Sequence, residues 1–126
     1  MSGRKLLLDS NIIIYIAQQK LMPDDFILLD DQLFVSDISW METLGYPFSD
    51  PTEQQETEAL LNVLVRLPIV DAVVMKVIEI RQSRRMKLPD AIIAATALLS
   101  NCTVVTRNIS DFVGISGLVV LNPFDK

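Results

Sequence analysis

Apolar positions fall into short blocks whose spacing changes along the chain. Lys5-Leu6-Leu7-Leu8 starts an apolar run without polar alternation, the pattern of a strand buried on both faces. The run breaks at Asp9-Ser10-Asn11, where Asp9 or Ser10 can cap a helix over 12–19. Pro23-Asp24-Asp25 opens a short connector, and 33–36 reads as a second strand. A helix is predicted from 39 to 46, stopped by Pro47 and Ser49-Asp50-Pro51. Over 52–65, Leu60, Leu61, Leu64 and Val65 recur at helical spacing opposite Glu53, Gln54, Glu56 and Glu58. A brief strand at 68–70 comes next, with Asp71 as cap of a helix reaching 85. Leu88-Pro89-Asp90 introduces an alanine-rich helix over 91–99; a buried strand at 103–106, an acidic turn to Phe112 and a last strand at 118–120 follow. Strands alternating with helices predict an α/β fold with a parallel sheet covered on both faces.

A length of 126 residues fits one domain, 1–126. Half the residues are hydrophobic and only 6% aromatic, so the core is aliphatic. No run approaches the roughly 18–20 apolar residues of a membrane span, and Asp9 and Asn11 interrupt the first apolar block too early for a signal peptide. Cys102 is the single cysteine, which excludes an internal disulfide. A cytoplasmic protein without membrane attachment is the expectation. Histidine is absent, which removes Ser-His-Asp triads, Cys-His pairs and the usual zinc sites. Catalysis is then left to carboxylates, hydroxyls, Lys/Arg or a hard metal ion. The formal charge of −5 provides no broad attraction for nucleic acid, so a nucleic-acid enzyme needs local basic residues and bound cations.

The acids fall where such chemistry needs them. In open α/β sheets ligands bind beyond the carboxyl ends of strands, near the reversal of strand order. Asp9 follows the first strand, Glu42 lies early in the helix after the second, and Asp90 starts the alanine-rich helix. Asn108 and Asp111 follow the 103–106 strand. Each has a simpler role when taken alone. Asp9 can be an N-cap, Ser39-x-x-Glu42 fits a capping box, Asp90 suits a helix dipole, and Asp111 suits a turn. If the first and the 103–106 strands are neighbours, Asp9 and Asp111 share an edge. Two carboxylates about 4–5 Å apart repel by a few kcal/mol even at an effective dielectric of about 20. Such a group protonates, spreads or binds a cation, and oxygen ligands favour Mg²⁺ or Mn²⁺.

Four segments carry a family resemblance. LLLDSN, ISWMETLGY, LPDAIIAATALLSNCTVVTRNISDF and GLVVLNP, in this order over nearly the full chain, resemble PIN-domain proteins, in particular VapC-type toxins of bacterial toxin–antitoxin pairs. The stretch from Asp90 to Asp111 is the most specific part. The resemblance implies a three-layer sandwich with about five parallel strands, a Mg²⁺ or Mn²⁺ site, and endoribonuclease activity leaving 5′-phosphate and 3′-hydroxyl ends. It also implies a cognate antitoxin and a homodimer. By position, Asp9, Glu42 and Asp90 match the core acids. The fourth place holds Asn108 where many relatives are acidic, and Asp111 is taken as the fourth carboxylate. Ser10 stands where Thr is commoner. Asp9, Asp90 and Asp111 are then the metal ligands, and Glu42 positions or deprotonates the attacking water. Asn108 makes a neutral contact, and Thr106 or Ser10 orients a water or caps backbone.

Arg81, Arg84, Arg85 and Lys87 form one basic concentration, suited either to RNA phosphates or to the helix C-terminal dipole. Arg107 is nearer the expected site and suits a phosphate. Trp40, Met41, Leu44 and Tyr46 are expected in the core more than in a partner groove, and Cys102 as packing. Two alternatives compete. One is a PIN-like module that only docks a partner or RNA, kept open by Asn108. The other is a phosphatase-like hydrolase, disfavoured because the first motif lacks a second Asp and no Gly-rich phosphate loop occurs.

Overall fold

The computed structural model describes residues 3–125, so both ends of the expected 1–126 unit lie outside it. Five strands, β1 (Lys5–Leu8), β2 (Gln32–Ser36), β3 (Val65–Leu67), β4 (Thr103–Val105) and β5 (Val120–Leu121), form one sheet in the order β3-β2-β1-β4-β5. Every pairing is parallel, with Leu6 opposite Leu33 on one side and Thr103 on the other. β1 is central, and Leu6, Leu7 and Leu8 are all 0% exposed, which explains why its sequence shows no alternation. β1 and β4 are neighbours, and the strand order reverses between them.

Five helices complete three layers: α1 (Ser10–Ala17), α2 (Asp37–Leu44), α3 (Pro51–Val63), α4 (Asp71–Ser83) and α5 (Leu88–Ser100). Leu7 and Val104 face Val73, Val77 and Ile80 of α4 and the buried side of α5. Leu6, Leu8, Val35 and Val105 face Ile12 and Ile13 of α1 and Leu61 of α3. In α5 every residue from Ala91 to Ala97 is buried; methyl side chains permit this close approach on all sides. Asn101, in the left-handed conformation at φ 57°, ends that helix. Among the described residues no helix is long and apolar enough to cross a membrane.

Several local expectations are corrected. α1 starts at Ser10, capped by Asp9, and ends before Gln19, whose φ of 61° is left-handed. α2 is capped by Ser36, whose Oγ accepts from the Ser39 amide at 3.2 Å, so the Ser39–Glu42 capping box does not form. Asp71 is the first residue of α4 and not its cap. β3 lies at Val65–Leu67, before Pro68, and β5 begins at Val120. Trp40 is partly buried against the α1/α3 core, with the Arg66 guanidinium 4.9 Å from its ring centre. Met41, Leu44 and Tyr46 are exposed, contrary to a core role. Cys102 is buried packing, and burial raises its thiol pKa.

Candidate active site

Each acid is delivered by a different piece of the fold. Asp9 leaves β1 with its amide donating to the Val105 carbonyl at 3.1 Å, which extends the β1–β4 ladder by one residue. Its Oδ1 accepts from the Ile12 amide at 3.0 Å and so also caps α1. Glu42 lies in the second turn of α2 and accepts a 2.5 Å hydrogen bond from Ser10 Oγ at Oε1. Asp90 occupies the first turn of α5, where no side chain makes a capping bond. Asp111 ends a 3₁₀ turn, Ile109–Asp111, fixed by the Asn108 amide on Thr106 Oγ1 at 3.0 Å and by buried Phe112.

The four acids line one pocket of about 120 Å³, together with Ser10, Asn11, Thr106 and Asn108 and the apolar Ile93 and Phe112. Asn11 and Ile93 were not singled out from sequence. Helical spacing is the signal for Ile93, which stands three residues after Asp90 on one face. Asp9 is 7% exposed and its pKa is raised. Burial is the main cause, with the charges of Asp90 and Glu42 adding to it, against hydrogen bonds from Thr106 and the Ile12 amide. The Asp90 pKa is raised too, first by burial and then by Asp111, with Lys87 opposing. Among the described residues none of the four makes a salt bridge. Asp37 provides the contrast: burial opposes its ionisation, yet Arg66 at 2.6 Å and the Ile69 amide at 3.1 Å hold its pKa down.

The donor set consists of oxygens only, which suits a hard divalent cation. Among the described residues no three ligand side chains are gathered closely enough to hold an ion by themselves. Arg84 and Arg85 border a separate open depression, and Arg84 is engaged with the Val113 carbonyl at 2.6 Å. Arg107 is exposed beside Thr106 and Asn108.

The raised pKa values have a consequence for metal-free protein. Asp9 and Asp90 hold protons more tightly when folded than in the unfolded chain, where the reference is 3.8. Their protonation supports the fold fully below that reference and is lost as pH rises through the folded values. Stability in EDTA is therefore expected to fall as pH climbs above about 4, and less steeply in Asp9→Asn. Identical pH slopes in denaturant titrations of the two proteins would count against this linkage. Asp31 and Asp37, whose pKa values are lowered, act in the opposite sense and at lower pH.

Comparison with known proteins fits this architecture. The PIN domain family matches residues 6–114. No curated protein matches. Among solved structures, a chain of a toxin–antitoxin complex from Klebsiella pneumoniae is 30% identical, with a TM-score of 0.72 over 96% of this chain and 99% of that one. A chain of VapBC2 from Rickettsia felis, bound to a DNA fragment of its promoter, is 22% identical, with a TM-score of 0.80 over 94% of this chain and 98% of that one. One from VapBC-1 of nontypeable Haemophilus influenzae is 24% identical, with a TM-score of 0.74 over 94% and 98%. These last two likenesses speak for the fold, and the first for common descent as well. The chain belongs to the PIN-domain family.

Proposed function

We propose that the protein is a Mg²⁺- or Mn²⁺-dependent endoribonuclease acting in the cytoplasm as the toxin of a toxin–antitoxin pair. PIN domains are in general nucleases. The observation that carries the reading is the pocket itself: four carboxylates from separate stretches of chain, among them Asp9 and Asp90 with raised pKa values, and, among the described residues, no salt-bridged cation. Repulsion of this kind is tolerated where a divalent ion offsets it.

Asp9, Asp90 and Asp111 are the residues that would hold the ion. When bound, it supplies charge neutralisation at the phosphoryl oxygens and acidifies water. Glu42 is set for proton transfer. Ser10 fixes its Oε1, and among the described residues Oε2 carries no hydrogen bond, so that oxygen can take a proton from the attacking water. Thr106 orients Asp9, and the Asn108 side chain is left for substrate or water. The deciding experiment is cleavage of a broad RNA panel by purified protein with Mn²⁺, Mg²⁺ or EDTA. Cleavage that persists in EDTA, or none with either metal, ends the reading.

A second reading is a PIN-like module without productive metal binding. Asn108 in place of an acid favours it, as does the lack, among the described residues, of a ready three-ligand group. Mn²⁺ titration of wild type and Asp9→Asn separates the two: equal responses support the module. Partner proteins belong to the same proposal. The fold neighbours come from toxin–antitoxin assemblies, and exposed Met41 and Leu44 on the helix of Glu42, with Tyr46 just past its end, offer an antitoxin an apolar foothold near the acidic edge. For the homodimer, an apolar groove of about 420 Å³ between α4 and α5, with Val74, Ile78 and Leu88 partly in solvent, supplies a self-association face. Light scattering that shows a monomer throughout the micromolar range removes that part.

A further inference from the structure

Arg107 differs from most arginines of the chain in having nothing to do within the fold except to lie on aromatic rings. Its guanidinium carbon is 4.5 Å from the Phe124 ring centre and 5.6 Å from that of Tyr15, and the two rings meet edge to face at 5.4 Å. Among the described residues it donates no hydrogen bond and makes no salt bridge. Arg4 and Arg66, by contrast, are paired with Asp31 and Asp37, while Arg81 and Arg84 donate to the carbonyls of Met86 and Val113. Attraction to a ring uses the charge of a guanidinium and does not consume its N–H donors. Both rings are themselves anchored. Tyr15 and Phe124 pack against the α1/α3 core, and the Phe124 amide donates to Asn122 Oδ1 at 2.9 Å.

The position of this cluster gives it a direction. Asn11 lines the acidic pocket, and Tyr15 lies four residues further along α1. Side chains at that spacing share one helix face with Cβ atoms about 5–6 Å apart. Arg107 follows Thr106 and precedes Asn108, both in the pocket wall. The cluster therefore continues the pocket rim by one helical turn. A fixed positive charge with unused forked donors, beside a negative pocket that does not neutralise it, is suited to a bidentate anion such as a phosphodiester.

We propose that Arg107, held on the rings of Tyr15 and Phe124, is a substrate-positioning residue that grips a backbone phosphate of single-stranded RNA next to the one being cleaved. The proposal rests on the ribonuclease reading above. It assigns a task to a side chain outside the acidic set, and to two aromatic residues whose part is to hold it.

The test uses the full-length protein and an RNA that the wild type cleaves in Mn²⁺, with kcat and KM measured at several KCl concentrations and melting recorded in parallel. Arg107→Ala is expected to lower kcat/KM about tenfold, mainly through KM, as for the loss of one charge-assisted hydrogen-bond pair. Its salt dependence should flatten by ~0.7 in logarithmic slope, the value for one phosphate contact on a single strand. Arg107→Lys restores the slope but not the full affinity, because the charge returns without the fork. Phe124→Leu keeps the apolar packing and raises KM. Wild-type KM and slope in Arg107→Ala overturn the proposal while the nuclease reading stands, as does a lower melting temperature alone, which would make the cluster a clasp for the C-terminal segment. If Arg107→Ala does not fold, Arg107→Lys and Phe124→Leu decide by the same readouts. A wild type that cleaves no RNA removes the nuclease reading and this inference with it.

Discussion

Asp9→Asn and Asp90→Asn are each expected to reduce metal-dependent RNA cleavage about a thousandfold, a loss of roughly 4 kcal/mol of transition-state stabilisation, without unfolding the protein. At Asp9 the two effects separate cleanly. Its Oδ1 caps α1 through the Ile12 amide, and asparagine provides the same acceptor. What asparagine removes is the negative charge that burial, Asp90 and Glu42 make costly. The melting temperature in EDTA should therefore stay level or rise while activity disappears. Asp9→Ala, which also removes the cap, should be less stable than Asp9→Asn by about 1 kcal/mol. Calorimetry beside a cleavage assay checks both points. An Asn variant that cleaves normally, or that loses activity only because it has melted, would contradict the assignment.

Phe112→Ala should give the largest loss of stability among changes near the site, about 3–5 kcal/mol. Phe112 is 2% exposed and belongs to the core between the sheet and the α4/α5 layer. It directly follows Asp111 and closes the 3₁₀ turn by donating its amide to the Ile109 carbonyl at 2.9 Å. The ring thus anchors the turn that carries the fourth acid. With total stabilities of about 5–15 kcal/mol typical of such proteins, the variant should still fold at low temperature. Its cleavage rate should then fall by more than the unfolded fraction accounts for, since Asp111 has lost its seat. Urea unfolding measures the first effect and cleavage well below the melting point the second. A loss under about 1 kcal/mol would mean that the cavity collapses or that the turn is held by other contacts.

The sequence displays some of these features openly and conceals others. β1 and α5 are legible because burial on every side leaves unbroken apolar blocks, and the acids are visible because they stand where those blocks end. β3 is displaced from the expected 68–70 because helical spacing through Leu60, Leu61 and Leu64 runs straight into it. Leu64 turns the chain extended at ψ 147° without any Gly or Pro to mark the change. Pro68, which resembles a strand start, lies just past the strand's last paired residue. The expected start of α2 at 39 lies two residues late because two serines three residues apart both resemble caps, and it is the extended backbone of Ser36 and its Oγ on the Ser39 amide that make Ser36 the cap. Met41, Leu44 and Tyr46 look like core by composition, and only tertiary packing shows that all three are exposed. The single pocket shared by the acids depends on β4 pairing with β1, a long-range adjacency that no local pattern encodes.

The uninterrupted burial of Ala91 to Ala97 also bears on motion. Amide protons in the middle of α5 have no route to solvent short of opening the whole molecule, so they should be the slowest to exchange with deuterium. The Ile109–Asp111 turn, exposed apart from its anchor at Phe112, should exchange through small local openings. Asp90 therefore stands at the threshold of the stretch expected to open last, and Asp111 on a turn expected to open far sooner. Any breathing of the acidic cleft is then one-sided, with the loop moving against a fixed helix.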